Sequence, residues 1–361
     1  MVKKQNNEEE LDFEIQEIED EASIRYDIAT YPSDFTLNGI VEMWRNGDIT
    51  IPEYQREFVW TIRQASLLID SFLMGLPVPP VFFYIDDENR NLVIDGQQRI
   101  LSTIFFFEGY FGFENIQGRR KVFRLHGLDA ERPYSNKKFS ELSESDQRKL
   151  KNTVLRAINI RQLAPLKDRS SVYHIFERLN TGGTPLKSQE IRNVVFRGPL
   201  VKMIRVLNND KNWRKILGKK ALDKHQRDVE LILRIFALSY HLDSYTKPMK
   251  DFLNRTMNDN RAGTKANFKK FQKLFPRVCK KIIEELGEKP FHVRGPLNTS
   301  ILDSVICTVL RNNKKLPDNL SNNFNEILSD PNFEEVTTVA TTDENIVKKR
   351  FDLVQKHLLR K

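Results

Sequence analysis

The sequence predicts an α+β domain followed by an all-helical one. Up to about residue 165, short apolar runs of strand length alternate with segments of helical spacing. Beyond about residue 168 only helical spacing recurs, with no strand-like alternation of comparable strength. The expected divisions are a flexible acidic head over 1–30, an α+β domain over 31–165 and a helical domain over 166–361.

The elements follow in order. Phe35, Leu37, Ile40, Val41 and Trp44 mark a first helix, which Gly47 ends. Residues 49–52 form a short extended run. Thr61, with Gln64 three residues on, forms a capping box for a second helix, whose apolar face is Ile62, Ala65, Leu68, Ile69, Phe72 and Leu73. Gly75 stops it, and Pro77, Pro79 and Pro80 prevent continuation. Residues 80–86 and 91–95 read as strands joined by a turn, and 97–108 as a helix. Further strands are expected at 121–125 and 153–162, with a helix at 143–151 between them. In the second half, helices are expected at 168–179, 188–196, 199–207, 228–241, 266–286, 297–310 and 343–359.

Composition narrows the function classes. With 39% hydrophobic and 30% charged residues, the 361-residue chain has the profile of a folded protein, not a disordered one. No run of eighteen apolar residues and no apolar signal-peptide core are found, so a cytoplasmic location without a membrane is expected. Cys279 and Cys307 cannot form a disulfide framework or a CxxC zinc site, and read as buried thiols. The net charge is +9, but residues 1–21 hold nine acids against two lysines and carry −7, leaving +16 on the rest. A body that basic suits a polyanion, and equally simple solubility. The acidic head is either a free tail or a shield for the basic surface. The basic stretches at 119–124, 148–151 and 211–224 are candidates for DNA contact, or solvated faces.

Three stretches are candidates for chemistry. In NLVIDGQQRILST, Asp95 suits a helix N-cap, Gln98 a capping-box position and Gly96 a tight strand-to-helix turn, with no ligand required. Gln97 and Arg99 are left unexplained. A cation in a helix's first turn opposes the macrodipole, and an anion bound there reverses the sign. In FERLNTGGTPLKSQEIRN, Asn180, Thr181, Gly182, Gly183 and Thr184 either connect two helices or cradle a phosphate. Glu190, Arg192 and Asn193 follow on the next helix. In YQREFVW, Phe58, Val59 and Trp60 suit a core, while Arg56 pairs with a carboxylate or with a ligand. The six histidines are scattered; His174, just upstream of the glycine loop, is the one nearest a candidate site. No P-loop, GxSxG elbow or HExxH motif occurs.

Together, the ordered stretches YQREFVW, GLPVPP, VIDGQQR and RLNTGGTPLKSQEIRN resemble the N-terminal domain of GmrSD-type restriction endonucleases, related to the ParB and sulfiredoxin-like fold. The resemblance spans roughly residues 35–200, with a looser helical continuation to about 357. It implies a role in bacterial defence against phage, with DNA as a partner. It implies binding and hydrolysis of a nucleoside triphosphate, of unspecified base, by Asp95, Gly96, Gln97, Gln98 and Arg99. Arg56 and Asn180, Thr181, Gly182, Gly183 and Thr184 would be neighbours of that site. Mg²⁺ would accompany the nucleotide, with Asp95 as its ligand or else as a helix cap. Many relatives carry a His-Asn-His nuclease domain. Here the segment after residue 300 contains only His357, so the resemblance implies the sensor and NTPase half, with cutting done by a separate nuclease or effector subunit. The rival readings are a metal-dependent DNA-nicking nuclease using the same site, and a non-enzymatic adaptor that only binds nucleotide.

Overall fold

A computed structural model describes residues 27–51, 58–86, 88–113, 118–129, 131–164, 170–179, 188–223, 225–313, 317 and 319–360. The chain divides into two compact units. One lies within Tyr26–Pro185 and the other within Leu186–Lys361. Arg56 and Asn180, Thr181, Gly182, Gly183 and Thr184 lie outside the described residues.

The first unit is α+β. Its described elements are β1 (Asp27–Thr36), α1 (Leu37–Arg45), β2 (Ile49–Thr50), α2 (Ile62–Met74), β3 (Val81–Ile85), β4 (Asn91–Asp95), α3 (Gln97–Glu108), β5 (Tyr110–Phe111), β6 (Lys121–Val122), α4 (Glu144–Asn152), β7 (Val154–Ala164) and α5 (Ser170–Leu179). Five strands form one sheet in the order β1-β7-β3-β4-β2. β7 pairs antiparallel with β1 (Phe35 opposite Leu155) and parallel with β3 (Val81 opposite Ala157). β4 pairs antiparallel with β3 and parallel with the short edge strand β2.

The apolar run Leu92–Ile94 is buried on both faces, which is why it reads as continuous rather than alternating. Val93 joins the core under α1, α2, α3 and α4, with Val81, Phe83, Ile69, Phe72, Ile100 and Ile104. The two-residue period turns Leu92 and Ile94 to the opposite side, and α5 packs against β4. The capping box of α2 forms as expected: Thr61 Oγ1 accepts from the Gln64 amide, and Gln64 Oε1 accepts from the Thr61 amide, with Gly75 left-handed at the far end.

Two boundaries differ from expectation. Residues 27–30, assigned to the acidic head, begin β1, because ten residues pair along β7 and the strand's register depends on its partner rather than on its own apolar pattern. Helix α5, placed in the helical domain by its spacing, is grouped with the α+β unit.

The regular elements among the second unit's described residues are helices. They include α6 (Ser188–Val195), α7 (Pro199–Asn208), α8 (Lys211–Leu217), α9 (Arg227–His241), α10 (Met249–Asn260), α11 (Ala266–Leu286), α12 (Thr299–Arg311), α13 (Leu320–Leu328), α14 (Pro331–Thr338) and α15 (Glu344–Leu358). α9 and α12 form its centre, buried almost all round, and Cys307 of α12 donates to the Ile235 carbonyl of α9. Phe271 and Phe275 of α11 pack edge-on or tilted against Phe236, Trp213 and each other. Both cysteines are free and buried. Burial holds the Cys279 thiol far above its ordinary range and pushes Cys307 up to about 12. Among the described residues, no helix is long and apolar enough to cross a membrane.

Candidate functional site

The strand-to-helix turn DGQQR sits where β4 gives way to α3. Asp95 is the last residue of β4 rather than the N-cap of α3. The cap is Gly96, in the left-handed region at φ 94°, and it supplies no side-chain hydrogen bond. Only glycine fits there. A Cβ on Gly96 would lie 2.4 Å from Val81 Cγ1, in a conformation that L side chains rarely adopt.

This shift by one residue changes every role downstream. The left-handed turn leaves Asp95 outside the helix. Its carboxylate meets Arg99, one turn in, at 2.6 Å between Oδ2 and Nη2. Arg99 Nη1 also donates to the Pro79 carbonyl at 3.3 Å, just before β3. The capping reading of Asp95 is therefore corrected: it anchors a guanidinium. That pairing also offsets the cost of a cation in the first turn. Arg99 keeps 15% of its side chain exposed and Asp95 keeps 35%, so the pair is seated but reachable.

Gln98 is likewise not a capping-box residue, since it is the second residue of α3 and not the third. Its Oε1 accepts from the backbone amides of Val59 and Trp60, at 3.1 and 3.2 Å. This clamp ties the end of the YQREFVW stretch to the DGQQR turn. Phe58 packs edge-on against Phe105 and Phe111, and Trp60 lies against the same core, as their types suggest. Val59 instead points outward, 61% exposed. Gln97 opens α3 and is partly exposed. The Gln98 clamp and the Pro79 acceptor could not be read from spacing, because both join segments about 20 and 40 residues apart. The prolines before β3 were the one available signal.

The first amides of a helix have no acceptor within it. In α3 the first intrahelical bond runs from the Ile100 amide to the Gly96 carbonyl. The turn thus combines a helix N-terminus whose cap residue has no side chain, a fixed guanidinium and one partly exposed carboxylate. Such a set can take an oxyanion at the amides and Arg99. Among the described residues, no group of three or more histidines, cysteines or carboxylates could hold a metal. Among the described residues of the turn, Asp95 is the carboxylate a divalent ion would meet, with phosphate oxygens and water completing its shell, an arrangement that magnesium accepts.

Other candidates fall elsewhere. His174 lies in α5 with its Nδ1 3.6 Å from Glu177. Arg192 of α6 is wholly buried in the helical unit, bonded to Glu230 at 2.7 Å and to Asn254 at 2.9 Å. Asn193 donates to Gln226, and Glu190 lies 3.5 Å from His225. These residues of the SQEIRN stretch hold α6, α9 and α10 together. Of the basic stretches, Arg124 is held by Glu141 at 2.5 Å, Arg120 lies 3.6 Å from Glu108, and Arg214 is buried against Asp228. The 119–124 and 211–224 stretches are thus partly spent on internal pairs. Lys151 lies over the Phe139 ring.

This mixed five-stranded unit, with an arginine seated at the turn after its buried strand, is matched by one family. Residues 37–197 match the GmrSD restriction endonuclease N-terminal domain. The match covers 161 of the 361 residues, and over that part the chain is similar to the N-terminal domain of a restriction endonuclease. No curated protein matches it.

Proposed function

We propose that the chain binds a nucleoside triphosphate at the Asp95–Arg99 turn and hydrolyses it while engaging DNA in a restriction-like defence system. The observation that carries this reading is the seating of Arg99. Asp95 and Pro79 hold its guanidinium beside the N-terminus of α3, whose cap residue has no side chain. A terminal phosphate placed there receives backbone amides and a guanidinium fork together.

Each residue then has a task. Gly96 lets the backbone approach the phosphate. Arg99 takes charge on the transferring group, where electrostatic stabilisation dominates phosphoryl transfer. The carbonyl oxygen of Gln98 is committed to Val59 and Trp60, so it positions the 58–60 segment; in this reading Gln97 or the Gln98 amide group orients the attacking water. Asp95 would hold Mg²⁺, which supplies charge neutralisation on the phosphates when bound. Arg56 and Asn180, Thr181, Gly182, Gly183 and Thr184 complete the pocket in this reading.

The test is a thermal-shift panel with the four nucleoside triphosphates and Mg²⁺, followed by phosphate release. A ligand at a hundredfold its Kd stabilises the folded chain by about 2.7 kcal/mol. Arg99→Ala should remove the shift and the phosphate release while the fold survives. Equal turnover by the two proteins would overturn the reading. One observation favours a rival. Asp95 is already engaged with Arg99, so no described carboxylate at the turn is poised as a general base. A nucleotide-binding adaptor without turnover would show the thermal shift and no phosphate release.

A further inference from the structure

The helical unit presents a feature that lies beyond residues 37–197. Helix α11 is two-faced. Phe271, Phe275, Val278, Cys279 and Ile282 are buried. Lys269, Lys270, Lys273, Arg277 and Lys280 are exposed. At 3.6 residues per turn, those five cations fall within an arc of about 100°, centred opposite the buried face, along about 16 Å of helix. Lys280 pairs with Glu284 at 3.6 Å. Among the described residues, Lys269, Lys270, Lys273 and Arg277 have no ion-pair partner. This contrasts with Arg120, Arg124 and Arg214, which are neutralised.

We infer that this face of α11 is a docking surface for the phosphate backbone of duplex DNA; the choice of DNA rests on the reading given under Proposed function. Aligning four unneutralised cations costs self-repulsion, which a line of negative charge removes. Duplex DNA presents one such charge per about 1.7 Å of axis. No large apolar side chain of α11 is exposed. A protein partner would be expected to find aromatic or aliphatic anchors, and a membrane would need an apolar face; in α11 that face is spent on the core. Contacts to phosphates carry no sequence information, so the stripe supplies affinity and register rather than base recognition.

The experiment is fluorescence anisotropy of a fluorescein-labelled 20-base-pair duplex with the full chain, titrated at several salt concentrations. The K269Q/K273Q/R277Q variant is compared with K202Q/K348Q/K356Q, which removes three exposed lysines from α7 and α15. Loss of three phosphate contacts should flatten the plot of log affinity against log salt by about 2.7. It should also weaken binding at least about tenfold at low salt, while the second variant binds like wild type. Unchanged binding by K269Q/K273Q/R277Q would overturn the inference, as would an equal loss in both variants. The nucleotide thermal shift of each protein separates the two readings. A wild-type chain that shifts with nucleotide yet binds no duplex sinks this inference alone. A stripe variant that loses DNA while keeping its nucleotide shift supports it.

Discussion

The two units use arginine differently. In the helical unit, Arg234 of α9 donates to Asp303 of α12 at 2.6 Å, and Arg350 of α15 lies 3.6 Å from the same carboxylate while donating to the Val336 and Thr341 carbonyls. Asp303 is wholly buried. In the α+β unit, Arg99 also pairs with a carboxylate at 2.6 Å, but Asp95 is 35% exposed. The guanidiniums differ little in seating; the carboxylates differ in access. A pair sealed from water on both sides fixes helices and has nothing left to offer. A pair open on the carboxylate side can exchange that partner for a phosphate or a metal ion. Burial of the acid, not of the arginine, distinguishes scaffold from site.

The largest effect expected from breaking this contrast is at Asp303. Asp303→Asn keeps the shape and removes the charge, leaving two buried guanidiniums without their shared acid. Chemical denaturation should show a loss of about 3–5 kcal/mol. Next comes Gly96→Ala. The Cβ meets Val81 in a left-handed backbone, so urea denaturation should show about 2 kcal/mol or more lost, with nucleotide binding lost through displacement of the turn. Arg99→Ala should cost about 1 kcal/mol or less, since its acid is partly solvated, while phosphate release falls to background. A stability loss as large as that of Asp303→Asn would place Arg99 with the scaffold.

The smallest effect concerns pH. Burial lowers the pKa of His241 and His292, with Lys265 and Lys289 respectively adding to the effect. Below the ordinary histidine range the unfolded chain therefore binds protons that the folded chain resists. Stability is complete above about pH 6.5 and falls as the pH drops toward the lowered folded values. Melting temperatures at pH 7.5 and 5.5 should differ less in H241N/H292N than in wild type.

Much of this was legible in the sequence. The capping box of α2, the buried run of β4, the 266–286 helix and the buried thiols follow from local pattern, and the structure has them where that pattern puts them. The importance of DGQQR was also legible, from an unexplained cation in a first turn. The assignments inside it were not. Asp95 and Gln98 fit capping roles by spacing, and the one-residue shift to Gly96 reassigns both. Strand β1 was missed because its pattern is weakly apolar and its partner, β7, lies more than a hundred residues away.

By itself the sequence determined the longer helices, the α+β-then-helical architecture, the motifs and the excess of positive charge, because each is written in spacing or composition. Only the tertiary structure decided which cations remain free. Arg124, Arg192 and Arg214 are neutralised by acids 17, 38 and 14 residues away, whereas four cations of α11 meet none among the described residues. It likewise decided that the DGQQR arginine is held by Asp95 and Pro79. Pairing depends on distance through space, and the chain sets that distance only when it folds.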